Sequence, residues 1–239
     1  MNSYGRGSYL YEPHVHTAEV SPCGKVPADE VIRIYVSAGY TGCIITDHYY
    51  ARNLKPQNHP GGTRRNRQRR EESWQRAMDW YLSGYRLAKE AGKRYDFDVF
   101  LGIELTPNEV AADILIYGLT EEFLYSHPRL YELSLNELKA LADKTDLLLV
   151  EAHPFRPTVT LIDPRFLHGA EVYNGNMRHD SQNLRAKEWA RQNDLLMISG
   201  SDFHLPEDAA RGGVCLSERP KNIKEFCEMV RSGADLIES

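Results

Sequence analysis

Apolar residues in this chain gather in short unbroken runs. Cys43-Ile44-Ile45-Thr46, Val99-Phe100-Leu101-Gly102-Ile103, Leu147-Leu148-Leu149-Val150 and Leu195-Leu196-Met197-Ile198 are each bounded by polar or turn-forming residues. Runs of this length predict strands buried on both faces. An alternating run, Tyr9-Leu10-Tyr11-Glu12-Pro13, predicts a strand ahead of them, and 111–117, 169–173 and 214–216 predict three more. Helical segments fall between. One opens at Pro27 with Asp29 and Glu30 in its first turn and stops at Gly39; a long amphipathic one covers 73–91; others cover 135–144, 181–192 and 222–232. Strand and helix alternate almost throughout, which predicts one α/β domain over 1–239, as a sheet or a barrel.

The stretch 49–70 interrupts this rhythm. It holds Gly61-Gly62 and then Arg64, Arg65, Arg67, Arg69 and Arg70, and its length and polarity suggest a mobile flap. Guanidinium groups match phosphate oxygens, although Glu71-Glu72 follows at once and would equally neutralise a solvated helix start.

Metal-type ligands stand where the strands end. His14-Val15-His16 closes the first; two imidazoles two residues apart lie on one side of an extended chain and can reach one ion. Asp47-His48 follows the second run, Glu104 the third, His153 the run at 147–150, and Asp202 with His204 the run at 195–198. In a parallel barrel the carboxyl ends of the strands share one rim, where catalytic residues gather. Five such ends carrying His, Asp and Glu point to two or three metal ions on that rim.

Composition narrows the setting. The net charge of −5 speaks against wholesale coating of nucleic acid, and the four cysteines have no paired Cys-x-x-Cys spacing, as expected of reduced thiols. No charged-then-apolar leader and no apolar run approaching ~20 residues is found. The expectation is a cytoplasmic protein with neither membrane span nor obligate protein partner.

With these pieces assembled, the chain resembles the polymerase and histidinol phosphatase (PHP) family of metal-dependent phosphoesterases. The matching segments are Pro-His-Val-His-Thr (13–17), Ile-Thr-Asp-His (45–48), Gly-Ile-Glu (102–104), Ala-His-Pro (152–154), Glu-Val-Tyr-Asn (171–174) and Gly-Ser-Asp-Phe-His (200–204), in the family's order. The resemblance implies a distorted (β/α)7 barrel with the metal site at the C-terminal rim of the strands. It implies that His14, His16, Glu104 and Asp202 bind a first ion, that Glu104 bridges to a second held also by His153, and that His48 and His204 form the core of a third. Glu104, Asp202 and His204 would be the catalytic set.

Two positions depart from the family. Asp113 stands where many relatives have a histidine and is assigned as its replacement. Ser21 and Pro22 stand where relatives have Asp or His; Glu19 is the preferred substitute, with Cys23 as the other candidate. Asp47 and Glu171 are expected to orient metal-bound histidines. Arg156 and Arg211 are placed as phosphate clamps, and His179, beside Arg178, as a substrate contact.

The expected activity is hydrolysis of a phosphate ester by a metal-bridged hydroxide, with Mn, Fe or Zn equally suited to the ligands. A small phosphomonoester of the histidinol phosphate or nucleotide type is the first choice of substrate. A phosphodiesterase or exonuclease acting on nucleotides or short single-stranded nucleic acid is the alternative, and a non-catalytic metal-binding regulator the third reading. An amidohydrolase would call for a bridging lysine at a strand end, and none stands there.

Overall fold

The computed structural model describes residues 8–54 and 67–239. In chain order the elements are β1 (Tyr9–Val15), α1 (Ala28–Ser37), β2 (Gly42–Ile45), β3 (His48–Tyr49), α2 (Arg67–Tyr81), α3 (Ser83–Gly92), β4 (Asp98–Leu101), β5 (Ile103–Leu105) and β6 (Ile114–Tyr117). There follow α4 (Glu121–Ser126), α5 (Leu135–Thr145), β7 (Leu148–Glu151), β8 (Gly169–Asn174), α6 (Asn183–Gln192), β9 (Leu196–Gly200), β10 (Gly212–Leu216), α7 (Ile223–Ser232) and β11 (Asp235–Glu238). The last strand and the short α4 were not anticipated.

In place of one uninterrupted parallel barrel, the strands pair in two sheets, ordered β11-β10-β1-β2-β4 and β3-β5-β6-β7-β8-β9. Two strands of the first sheet run almost directly on into strands of the second, β2 into β3 and β4 into β5; Gly102 N donates to Ile45 O at the second junction. A parallel bridge between Val15 and Phe203 also links β1 to the segment after β9. The regular parallel alternation fails at β6, which is antiparallel to both β5 and β7. Only eight residues, 106–113, connect β5 to β6, too few for the helical crossover that a parallel pair needs. β10 and β11 also pair antiparallel, with α7 in the connection between them.

The apolar runs owe their lack of alternation to burial on both faces. Tyr11, Ile44, Leu115, Val150, Ile198 and Val214, drawn from both sheets, pack together with Phe226 and Val230 of α7. Their neighbours in sequence, such as Leu10, Cys43, Ile45, Ile116 and Leu149, belong to the other core cluster, with the helices α1 to α3. Each buried Leu, Ile or Phe contributes about 1.5–3 kcal/mol, so this double layer is the main source of the site's rigidity.

Two expectations need correction here. The helix expected over 73–91 is interrupted at Leu82, dividing α2 from α3. The first residues of the expected flap form a packed turn, with Tyr49 and Leu54 buried and Asn53 Nδ2 donating to the carbonyl of His48 at 3.0 Å. Residues 55–66 of that stretch, His59 among them, lie outside the described residues, as do the side chains of its arginines. Among the described residues no helix is long and apolar enough to cross a membrane.

Candidate metal centre

β1 delivers the first two ligands. His14 and His16 are fully buried, and their Nε2 atoms lie 3.2 Å apart. Each ring is fixed from behind. Nδ1 of His14 meets Glu171 Oε1 at 2.8 Å, and Nδ1 of His16 meets Ser21 Oγ at 3.1 Å. Anchoring Nδ1 in this way leaves Nε2 with its lone pair toward the centre.

Glu104, at the middle of β5, is the hub. Its Oε1 is 3.4 Å from His14 Nε2 and 3.2 Å from His153 Nε2; its Oε2 is 3.3 Å from His16 Nε2 and 2.7 Å from His48 Nδ1. Among the described residues, three groups of side chains bring their ligand atoms within 4.8 Å of one another: His14, His16 and Glu104; Glu104, Asp113 and His153; and His16, His48 and His204. Glu104 belongs to two of them and His16 to two. Asp202 stands beside the first, with Oδ1 3.4 Å from Nε2 of both His14 and His16. Its Oδ2 accepts from Arg156 at 2.8 Å.

Strain and close approach mark the same ends. His153 (φ 35°) and Asp202 (φ 51°) adopt left-handed backbone, which costs a non-glycine residue of order 1–3 kcal/mol and persists where surrounding contacts enforce it. Glu171 supplies such a contact, its Oε2 accepting from the backbone of His153 at 3.0 Å and from Asn174 Nδ2 at 2.9 Å. At Gly200, between these groups, a Cβ would come within 2.7 Å of Glu171 Oε1 and 2.8 Å of His14 Cβ, so no larger residue fits.

The centre is charged and buried. Burial alone would raise Glu104 and Asp202, but the neighbouring imidazoles outweigh it and hold both well below the usual carboxylate range. Burial alone would lower His14, yet the carboxylates of Glu171, Asp202 and Glu104 raise it well above an ordinary imidazole. His16 is pushed the other way, by burial and then by His204 and His48. Burial opposes ionisation of the Cys23 thiol, but hydrogen bonds to His204 and His48 bring it down to about 6.

Divalent ions fit these residues. Among the described residues, His48 Nδ1 and Glu104 Oε2 are buried side-chain atoms without a hydrogen-bond partner. The 2.7 Å approach of the two does not meet hydrogen-bond alignment. Buried polar atoms are rarely left so, and ligand atoms facing a common point rather than each other are what an ion would satisfy.

The remaining expected residues sort by geometry. Asp113 faces Glu104 and His153 and is held by Thr106 Oγ1 at 2.5 Å. Asp47 lies behind the site, accepting from Ser21 Oγ at 2.6 Å and Thr17 N at 2.7 Å, and burial raises it to about 6. Glu19 is elsewhere: both its oxygens accept from Ala28 N at 3.1 Å, serving the open amino end of α1, whose Pro27 offers no side-chain cap. Cys23 occupies the place Glu19 was expected to fill, its Sγ 3.1 Å from His204 Nε2. Arg211 turns its Nε to the carbonyl of Glu207 at 2.8 Å rather than into the ligand cluster. His179 lines a cleft of about 360 Å³ with Cys23, Lys25, Arg178 and His204. Arg178 is itself pinned by Asp208 at 2.6 and 2.8 Å.

Sequence reasoning missed Glu12, Ser21 and Asn174 as supports. Glu12 is fully buried and accepts from the backbones of His14 (3.0 Å) and Ser201 (2.9 Å) and from Tyr35 (3.1 Å). A signal for it existed, since Glu12 shares the two-residue parity of His14 and His16.

Similarity to known proteins agrees with this picture. Residues 180–234 match a family model described as PHP-associated. None of the curated proteins matches the chain in sequence. Among solved structures, a two-domain protein from Bacteroides vulgatus containing a predicted PHP-like metal-dependent phosphoesterase superposes with a TM-score of 0.64 at 16% identity, over 97% of this chain. PsfC from Pseudomonas syringae gives 0.65 at 15% over 98% of this chain and 92% of its own. The lesion-specific endonuclease PfuEndoQ from Pyrococcus furiosus gives 0.55 at 13% over 96% of this chain. The chain spans 65% of the Bacteroides protein and 57% of the Pyrococcus enzyme. At these identities the likeness is one of fold.

Proposed function

On the premise that the chain is of PHP type, we propose that it hydrolyses phosphate esters with two or three divalent ions held on this rim, small phosphomonoesters being the preferred substrates. The observation that carries the reading is the sharing of Glu104 between two ligand groups, since a carboxylate with two oxygens can keep adjacent ions close. His14, His16, Glu104 and Asp202 would hold the first ion, Glu104, Asp113 and His153 the second, and His48 with His204 a third. When bound, such ions polarise a phosphoryl oxygen and make a water acidic enough to ionise near neutral pH.

The chain's own residues do the positioning. Arg156 binds Asp202 Oδ2, which turns Oδ1 toward the imidazoles, and its buried Nε has no partner. Lys25, Arg178 and His179 give the adjoining cleft a basic wall, and a volume of about 360 Å³ suits a small molecule better than a duplex. Imidazole and carboxylate ligands admit manganese, iron or zinc.

A second reading, phosphodiester cleavage in a nucleic acid strand, is favoured by the fold likeness to a lesion-specific endonuclease. The net charge of −5 weighs against it. The test is manganese-dependent phosphate release from a panel of phosphomonoesters, with Asp202→Ala protein as the blank. Release above the blank is expected. Silence on the panel with cleavage of a single-stranded oligonucleotide would transfer the assignment to the second reading, and silence on both would end the phosphoesterase reading.

A further inference from the structure

We propose that Cys23 is a metal ligand, forming with His48 and His204 a thiolate-bearing site that takes zinc in preference to manganese. The inference rests on the metal centre proposed above and departs from it in the chemistry of the third ion. His204 Nδ1 lies 2.7 Å from the carbonyl of Asp202, which places the ring proton there and leaves Nε2 with a lone pair. That lone pair faces Cys23 Sγ at 3.1 Å. Beside it, His48 Nδ1 and the fully buried Glu104 Oε2 have no hydrogen-bond partner. His16, His48 and His204 bring their ring nitrogens within 4.8 Å of one another, and the Cys23 thiol adjoins them at His204.

The backbone places the thiol deliberately. Lys25 N donates to the carbonyl of His204 at 3.0 Å, and Gly24 N to Ser21 O at 3.0 Å, stitching the 21–25 turn to the strand end that carries His204. The same turn presents Ser21 to His16. A soft thiolate shifts selectivity from manganese toward zinc, and a set of two imidazoles and one sulfur leaves a tetrahedral ion one open position. Cys23 and His204 both line the adjoining cleft, so an ion held by them would border it.

The chain's other thiols, Cys43, Cys215 and Cys227, are buried elsewhere, so a metal–sulfur signal reports on Cys23. The experiment is cobalt(II) loading of the metal-stripped full chain, followed by absorption spectroscopy. A near-ultraviolet sulfur-to-cobalt charge-transfer band is expected, saturating at one equivalent. Cys23→Ser should lose the band and bind one zinc fewer in equilibrium dialysis. Cys23→Asp should keep the third ion without the band and let manganese compete for it. Visible cobalt bands without the charge-transfer band in the unaltered protein, or a band that survives Cys23→Ser, would overturn the proposal while leaving the metal centre standing. Failure to bind cobalt at all would overturn both.

Discussion

Ser21 shows how one hydroxyl can serve two ligands. Its proton goes to Asp47 Oδ1 at 2.6 Å, so its lone pairs accept from His16 Nδ1 and from the backbone of His48, each at 3.1 Å. Ser21→Ala would leave His16 without the acceptor that fixes its ring, while Asp47 would keep its donors from Thr17. Loss of such an outer partner typically costs about 10–100-fold in metal affinity. We expect a loss of that size for the ions touching His16, read by competition with a chromogenic chelator, with the far-ultraviolet circular dichroism unchanged. An affinity within twofold of the unaltered protein would show that Ser21 does not orient His16. The gathering of His14, His16, Glu104, His153 and Asp202 was legible in the sequence, because His, Asp and Glu at strand ends have few other reasons to be there. It was not legible for Ser21 or Glu19, since a serine or glutamate in a loop has the same pattern whether it holds a histidine or an amide of α1.

Elements meet more closely than their sequences announce. Helix α3 crosses the exit of β1 at Gly84, where a Cβ would lie 2.1 Å from Thr17 Oγ1 and 2.9 Å from Asp47 Oδ2. In an exposed helix Gly→Ala is stabilising by about 1 kcal/mol. Here the added methyl must displace Thr17 or Asp47, and overpacking of this kind costs about 1–3 kcal/mol. Gly84→Ala is therefore expected to destabilise the protein, measured as a lowered midpoint in urea unfolding; a raised midpoint would show that α3 does not pack this tightly. The existence of the strands could be read from runs with no polar alternation, since both faces are buried. Their directions could not. A reversed β6 keeps the same residues on the same faces, and only the shortness of 106–113 betrays the reversal. Division of the long helix at Leu82 has no proline or cap to signal it, and arises where Gly84 lets the chain approach Asp47.

For the molecule as a whole, metal and proton compete for one charge balance. Glu104 and Asp202 have folded pKa values depressed below their unfolded values of about 4. Their contribution to stability is present above that pH and lost as pH falls through the depressed values. His14 is raised above its unfolded value of about 6.5, so its contribution is full below that pH and lost as pH rises through the raised value. The metal-free protein thus gives up the stabilising imidazolium in alkaline solution, whereas an ion on Nε2 replaces the proton and needs none. Supports that do not depend on metal, among them Glu12 on β1 and Glu171 on β8, together with the layer packed on α7, should keep the stripped chain folded. At metal concentrations about a thousandfold above the dissociation constant, binding adds about 4 kcal/mol. For a chain of this length each kcal/mol moves the midpoint by about 2–4 °C, so chelation should lower Tm by about 8–16 °C. The gap between loaded and stripped protein should widen from neutral to alkaline pH, because only the stripped form loses its proton. Calorimetry of both forms across that range decides the matter: a gap that stays constant would mean that His14 does not carry the balancing proton, and no gap at all would mean that the buried cluster does not hold ions.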